Sequence, residues 1–194
     1  MIAVPQFNYM TPEEYLDMEE KSDVKHEYID GYIYELHGTQ AMAGATDAHV
    51  TITGNAFAMI RSHLRGSGCR VYISDMKARI ESARRFYYPD IVVTCDPRDT
   101  QTQTYKCFPK LIIEVISSST EAFDRGDKFA DYQQLESLEE YVLVSAKRQR
   151  IECFRRNLEG LWVLQTYSYE QDNFQLSSIN FEGKFTDMYE DVSF

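Results

Sequence analysis

"YYPDIVV", residues 87–93, and "LIIEVISSST", residues 111–120, decide how this chain folds. Each places one acid, Asp90 or Glu114, inside a strongly apolar run. An ionised carboxylate taken out of water costs several kcal/mol unless a cation or hydrogen-bond donors meet it. Alternation along a strand puts Glu114 on one face with Ile112 and Ile116, and Leu111, Ile113 and Val115 on the other. A strand apolar on both faces is a central one, covered on both sides. Asp90 follows Pro89, whose missing N–H suits the first position of a strand. Two neighbouring strands would therefore bring Asp90 and Glu114 together.

Close carboxylates repel, and one of them tends to hold its proton. A divalent cation removes that conflict. The donors on offer are hard oxygens, which select Mg²⁺ or Mn²⁺: Asp90, Glu114, the carbonyl of Val115 and water. Such an ion lowers the pKa of bound water and stabilises charge on a phosphate. Lys128, early in the helix expected after the second run, is placed to orient that water. Tyr132 and Leu135 share its side of the helix, so this face turns towards the sheet. Structural readings compete at each position. Glu114 could be a core acid paired with a base, Asp90 a turn cap, and Lys128 a surface partner of Asp124 four residues back.

The flanking sequence supplies the frame. Thr11, Pro12 and Glu14 in "TPEEY" form a helix start with a capping box. Asp30-Gly31, between the two halves of "KHEYIDGYIYEL" (25–36), marks a two-residue hairpin. Helical spacing of Val50, Phe57, Ile60 and Leu64 predicts a helix over 47–64, stopped by Gly66 and Gly68. "CRVYISDMKARI" (69–80), 89–95 and 109–118 read as strands, the last two joined by the polar loop "DPRDTQTQTYKCF". Asp124 is expected to cap a helix running to Leu135. Strands follow at 140–146, 150–156 and 161–169, and a short helix near 185–189. This order describes one α/β domain over residues 1–194, with one mixed central sheet, flanking helices and an α-βββ-α-β core.

Of the 194 residues, 43% are hydrophobic and 26% charged, which suits a folded protein that needs no disulfide or metal staple. The four cysteines, at 69, 95, 107 and 153, show no CxxC spacing, so disulfides and a structural zinc site are not expected. No run is long enough to span a bilayer and no signal segment is expected, which points to the cytoplasm. The net charge is −11. Basic residues gather between Arg61 and Arg85 and in "KRQRIECFRR" (147–156), leaving room for a basic face. The remaining histidines, His26, His37 and His63, show no ligand spacing. No Gly-x-Ser-x-Gly elbow accompanies the "SSST" run, and there is no phosphate-binding glycine loop.

The segments "YYPDIVV", "PKLIIEVISSST", "DRGDKFADY" and "EYVLV" resemble the Uma2 (DUF820) family, placed among restriction-endonuclease-like PD-(D/E)XK nucleases. The likeness runs from "KHEYIDGYIYEL" through "TDAHVTITGNAF" to "EYVLVS". It implies a restriction-endonuclease-like fold and a Mg²⁺-dependent endonuclease cutting DNA, with Asp90 as the motif's Asp and Glu114 as its central acid. The usual lysine, two positions after that acid, falls on Ile116; the resemblance implies that Lys128 takes its role. Glu27 in "EYIDG" and His49 in "TDAHV" match recurring family positions and are expected to approach the metal. Relatives of this kind often work as homodimers, for which the 25–36 hairpin is a candidate contact. The alternative is a nuclease fold without catalysis, serving as a nucleic-acid or protein binding module.

Overall fold

A computed structural model describes residues 9–36, 46–118 and 120–194. The N-terminal helix α1 (Pro12–Glu19) has its capping box formed, with Thr11 and Glu14 exchanging side-chain and backbone bonds. Strands β1 (His26–Ile29) and β2 (Tyr32–Glu35) pair antiparallel with Ile29 opposite Tyr32. Asp30 and Gly31 carry φ of 51° and 93°, the pair of left-handed residues that a tight primed hairpin turn requires. Helix α2 (Asp47–His63) follows, with Thr46 accepting from the His49 N–H. Then come β3 (Arg70–Ile73), β4 (Lys77–Ile80), β5 (Arg85–Tyr87), β6 (Ile91–Thr94), β7 (Tyr105–Lys106) and β8 (Pro109–Ile116). Two short helices, α3 (Glu121–Arg125) and α4 (Asp127–Tyr132), lead into β9 (Glu140–Ser145), β10 (Arg150–Arg156) and β11 (Trp162–Ser168). Strands β12 (Asn173–Leu176) and β13 (Phe181–Lys184) and helix α5 (Phe185–Met188) complete the described chain.

The central sheet has six strands in the order β11-β10-β9-β8-β6-β3. It is mixed: β8 and β9 run parallel, and its other neighbours are antiparallel. A parallel pair cannot be closed by a tight turn and needs a crossover. Here α3 and α4 provide it, which carries residues 121–132 back across the sheet. The alternation expected along 111–116 is observed. Leu111, Ile113 and Val115 join Ile52, Ala56 and Ile60 of α2 in one core. Ile112 and Ile116 join Tyr132, Leu135 and Leu138 in the other. Both faces of β8 are thus covered, and Glu114 is carried into the second core.

Several details differ from the sequence expectations. The 69–80 stretch is two strands in two sheets. Ser74, at φ 51°, breaks it, and β4 joins a second, five-stranded sheet of order β2-β1-β5-β4-β7. A single continuous strand cannot serve both sheets, so the polar Ser74-Asp75 pair makes the turn. The expected hairpin is the outer edge of that second sheet, and its Tyr28 and Ile33 pack with Phe86 of β5 onto Tyr15 of α1. The helix expected from Asp124 to Leu135 is divided at Gly126, and Asp124 lies within α3 rather than capping it. Strands β5, β7, β12 and β13 were not anticipated; they are only two to four residues long, and β7 falls in the stretch read as a polar loop. The expectations about residues 1–8, His37 and Ser119 fall outside the described residues. Among the described residues no helix is long and apolar enough to cross a membrane.

The expectation of free cysteines fails for one pair. Cys69 and Cys95 are joined by a disulfide. They lie one step beyond the paired residues Arg70 and Thr94 of β3 and β6, so antiparallel register sets them face to face. Sequence spacing alone could not show this. Cys107 and Cys153 remain free. Thiol titration of the unreduced, denatured protein should therefore find two reactive thiols; four would contradict the cross-link.

The crossover is clamped at its base. Glu152 on β10 accepts from Arg125 at 2.6 Å and from Arg150 at 2.8 Å. Burial opposes ionisation of Glu152, but the two guanidinium groups outweigh it and hold its carboxyl below the usual range. A depressed folded pKa gives stability that is complete above the unfolded value and lost as pH falls through the folded one. Urea melts of wild type and Glu152→Gln should thus differ most near neutral pH and converge in acid. A gap that does not vary with pH would remove this ion pair from the account.

Candidate active site at the end of the central sheet

The antiparallel register of β6 and β8 pairs Ile91 with Ile113, so Asp90 falls opposite Glu114. The two acids meet through the backbone. The Asp90 N–H approaches Glu114 Oε2 at 3.4 Å, and the Val115 N–H donates to Asp90 Oδ2 at 2.7 Å. The turn at Ser74 secures the same spot, its N–H donating to the Asp90 carbonyl at 2.9 Å.

The crossover then brings Lys128 down onto Glu114. Its ammonium lies 2.9 Å from Glu114 Oε1, 3.5 Å from Glu27 Oε1 and 3.6 Å from Asp124 Oδ1. The Tyr132 hydroxyl, one turn further along α4, donates to Glu114 Oε1 at 3.2 Å. Glu27 arrives from β1 and His49 from the first turn of α2, where its Nε2 is 3.2 Å from Asp90 Oδ2. All six side chains singled out in the sequence, Glu27, His49, Asp90, Glu114, Lys128 and Tyr132, therefore converge, and Val115 contributes its backbone. Position 116 carries an isoleucine buried in the second core, and Lys128 reaches the central acid from a different element. Asp124 is a further member, buried against Lys128. Its signal was the four-residue spacing in "DRGDK", which fits a surface pair equally well.

Electrostatics sets the character of this cluster. Lys128, Glu27, Glu114 and Asp124 are all buried. Burial opposes the charge of Lys128, but Glu114 and Glu27, with Tyr132 and Asp124, overcome it and raise its pKa, so it stays an ammonium. Burial also drives the Glu114 carboxyl upward; Lys128 pulls it back, while Asp124 and Asp90 push it further up. Glu27 is raised for the same first reason, burial. One ammonium cannot offset the burial of both Glu114 and Glu27, and both carboxyls are held above their usual range. At its rim, burial disfavours the charged form of His49, but the hydrogen bond and charge of Asp90 win and raise its pKa.

The donor chemistry fits a hard divalent cation. Glu27 Oε1 is buried without a hydrogen-bond partner, and the acids outnumber the cations. Among the described residues, however, no three Asp, Glu, His or Cys side chains converge closely enough to hold a metal alone. A site of one or two carboxylates completed by a carbonyl and waters is what Mg²⁺ ordinarily takes. Of the acids, Asp90 lines a cleft of about 330 Å³, together with Lys25, His49 and Tyr88 among others; Glu27, Glu114 and Asp124 are not part of its lining. A larger cleft of about 780 Å³ lies around Phe108 and Lys110, at the opposite end of β8, and contains none of these residues.

Removing one partner of a buried ion pair costs about 3–5 kcal/mol, because the charges left behind have nowhere to go. Lys128→Met should lose stability of that order in chemical denaturation. A loss no larger than about 1 kcal/mol, typical of an exposed pair, would mean that the cluster is solvated.

Comparison with known proteins bears on the family and the fold. The family model of Uma2, described as "Putative restriction endonuclease", matches residues 12–184. An uncharacterized protein of Synechocystis sp. (strain PCC 6803), slr1290, is 37% identical over 188 residues, covering 97% of this chain and 95% of its own. A second uncharacterized protein of that organism, sll1609, is 29% identical over 179 residues, covering 91% of this chain and 98% of its own. The crystal structure from Anabaena variabilis titled "a putative nuclease belonging to DUF820" superimposes with a TM-score of 0.71. It covers 93% of this chain and 97% of that one at 15% identity, a likeness of fold. With the model matching most of its length, the chain belongs to the Uma2 family.

Proposed function

We propose that this protein is a Mg²⁺-dependent endonuclease that hydrolyses phosphodiester bonds in DNA. The observation that carries the reading is the placement of Lys128, 2.9 Å from Glu114 and buried between acids from three elements. Asp90, Glu114 and the Val115 carbonyl would hold the metal, Mg²⁺ or Mn²⁺. When bound, it supplies Lewis-acid stabilisation of phosphate charge and a water of lowered pKa.

The remaining roles follow from the protein's own groups. Lys128 is held as an ammonium, so it is a hydrogen-bond donor that orients water and offsets negative charge; it is not a base. Tyr132 donates to Glu114 and fixes its rotamer. The His49 ring, against Asp90, holds that carboxylate at the cleft. Glu27 keeps Lys128 charged and centred. Preorganised charges in a site from which water is largely excluded act more strongly than in solution.

One observation favours a second reading, a nuclease fold that binds nucleic acid or a protein without cutting. Glu114 is already engaged by Lys128, Tyr132 and the Asp90 N–H. A closed ion pair of this kind can stand without a metal.

Calorimetric titration of Mn²⁺ into wild type, Asp90→Ala and Glu114→Gln, with plasmid cleavage on the same samples, separates the two. The nuclease reading expects wild type to bind and cut, and both activities to be lost in the variants. Binding without cleavage would support the non-catalytic module. Absence of binding to wild type would return Asp90 and Glu114 to structural roles.

A further inference from the structure

We infer that the turn joining β9 to β10, residues 146–149, is the grip by which the protein holds the phosphate backbone of a nucleic acid beside the acidic cluster. The inference rests on the nuclease reading and adds to it a binding surface.

Register places the turn. Strand β9 runs parallel to β8, with Glu114 beside Leu143 and Ile116 beside Ser145. The Ala146 N–H donates to the Ile116 carbonyl at 3.1 Å. The turn thus leaves the sheet at the same end as Glu114, and β6, being antiparallel, begins at that end with Asp90. Neighbouring strands lie about 4.8 Å apart and each residue advances about 3.3 Å, so the turn, three to four positions beyond Leu143, stands about 5 Å to the side of Glu114 and about 10–13 Å beyond it. Phosphates on one strand of a duplex advance about 3.4 Å along its axis, which makes that offset about three or four phosphates.

Charge identifies the occupant. Lys147 and Arg148 are exposed, and among the described residues neither side chain has an ion-pair partner. Their neighbours Arg125 and Arg150 are both committed to Glu152. On a chain of net charge −11, free cations beside a phosphate-directed site are where a polyanion approaches without repulsion. Gln149 of the same turn lines a second cleft, of about 480 Å³, with Lys184 and Tyr169. Tyr169 is 62% exposed at the end of β11, an aromatic face of the kind on which bases stack. Of the other basic cluster, Lys77 is buried against Tyr88, and its α2 and β3 members are elsewhere. Arg61 ends α2 and Arg70 begins β3, at the far end of the sheet from Asp90.

The test is fluorescence anisotropy of a labelled DNA duplex in EDTA, where binding is read without cleavage, across a salt series. Each phosphate contact contributes about 0.9 to the slope of log K against log salt. Lys147→Gln/Arg148→Gln should bind more weakly with a slope shallower by about 1.8. Arg61→Gln/Arg65→Gln should match wild type. Wild type that binds with a slope unchanged by the Lys147/Arg148 substitutions would overturn the inference and leave the nuclease reading standing. Wild type that binds no DNA would overturn the DNA reading, and the grip with it.

Discussion

One buried ammonium organises this protein. Lys128 sits in a place where a charge survives only with partners, and its partners come from β1, β8 and α3. Each of those elements is positioned by something else: β1 by a tight primed turn and the Tyr15–Tyr28 packing, β8 by apolar cover on both faces, and α3 by the clamp on Glu152. The cluster is thus the common endpoint of otherwise separate packing problems. Desolvation makes it unforgiving, because a lost partner leaves a charge that neither water nor a neighbour can take up.

The sheet architecture explains why the lysine stands on a helix. In a strand, positions i and i+2 share a face. A lysine at 116 would lie beside Glu114 but would replace an isoleucine packed in the second core. Because β8 and β9 are parallel, a crossover must pass over that face in any case, and a side chain on its second helix reaches the acid from above. The core keeps its isoleucine and the acid keeps its ammonium. The same crossover delivers Tyr132 and Asp124 without further elements.

Much of this was legible in the sequence because it depends on short-range rules. Alternation assigned Glu114 to a covered strand face, Pro89 marked where the preceding strand begins, and Asp30-Gly31 set the hairpin register that places Glu27. What stayed hidden depends on how distant segments meet. Asp124 has the spacing of a surface helix pair, and only the docking of the crossover turns it inward. Cys69 and Cys95 are 26 residues apart, and only the β3–β6 register brings them together. The second sheet is built from strands as short as two residues, and its origin is a single left-handed serine that sends β4 away from β3.

The way the site is divided among elements has a consequence for synthesis. Glu27, Asp90, Glu114 and Lys128 are spread over more than half of the sequence, and no two lie on the same strand or helix. A growing chain on the ribosome has neither the complete set of acids nor the ammonium until the crossover has emerged. Even then the parallel β8–β9 pair can form only once β9 follows. Any phosphodiester chemistry this protein performs is therefore withheld from its own nascent forms, and the pairing that closes the crossover is also the step that arms it.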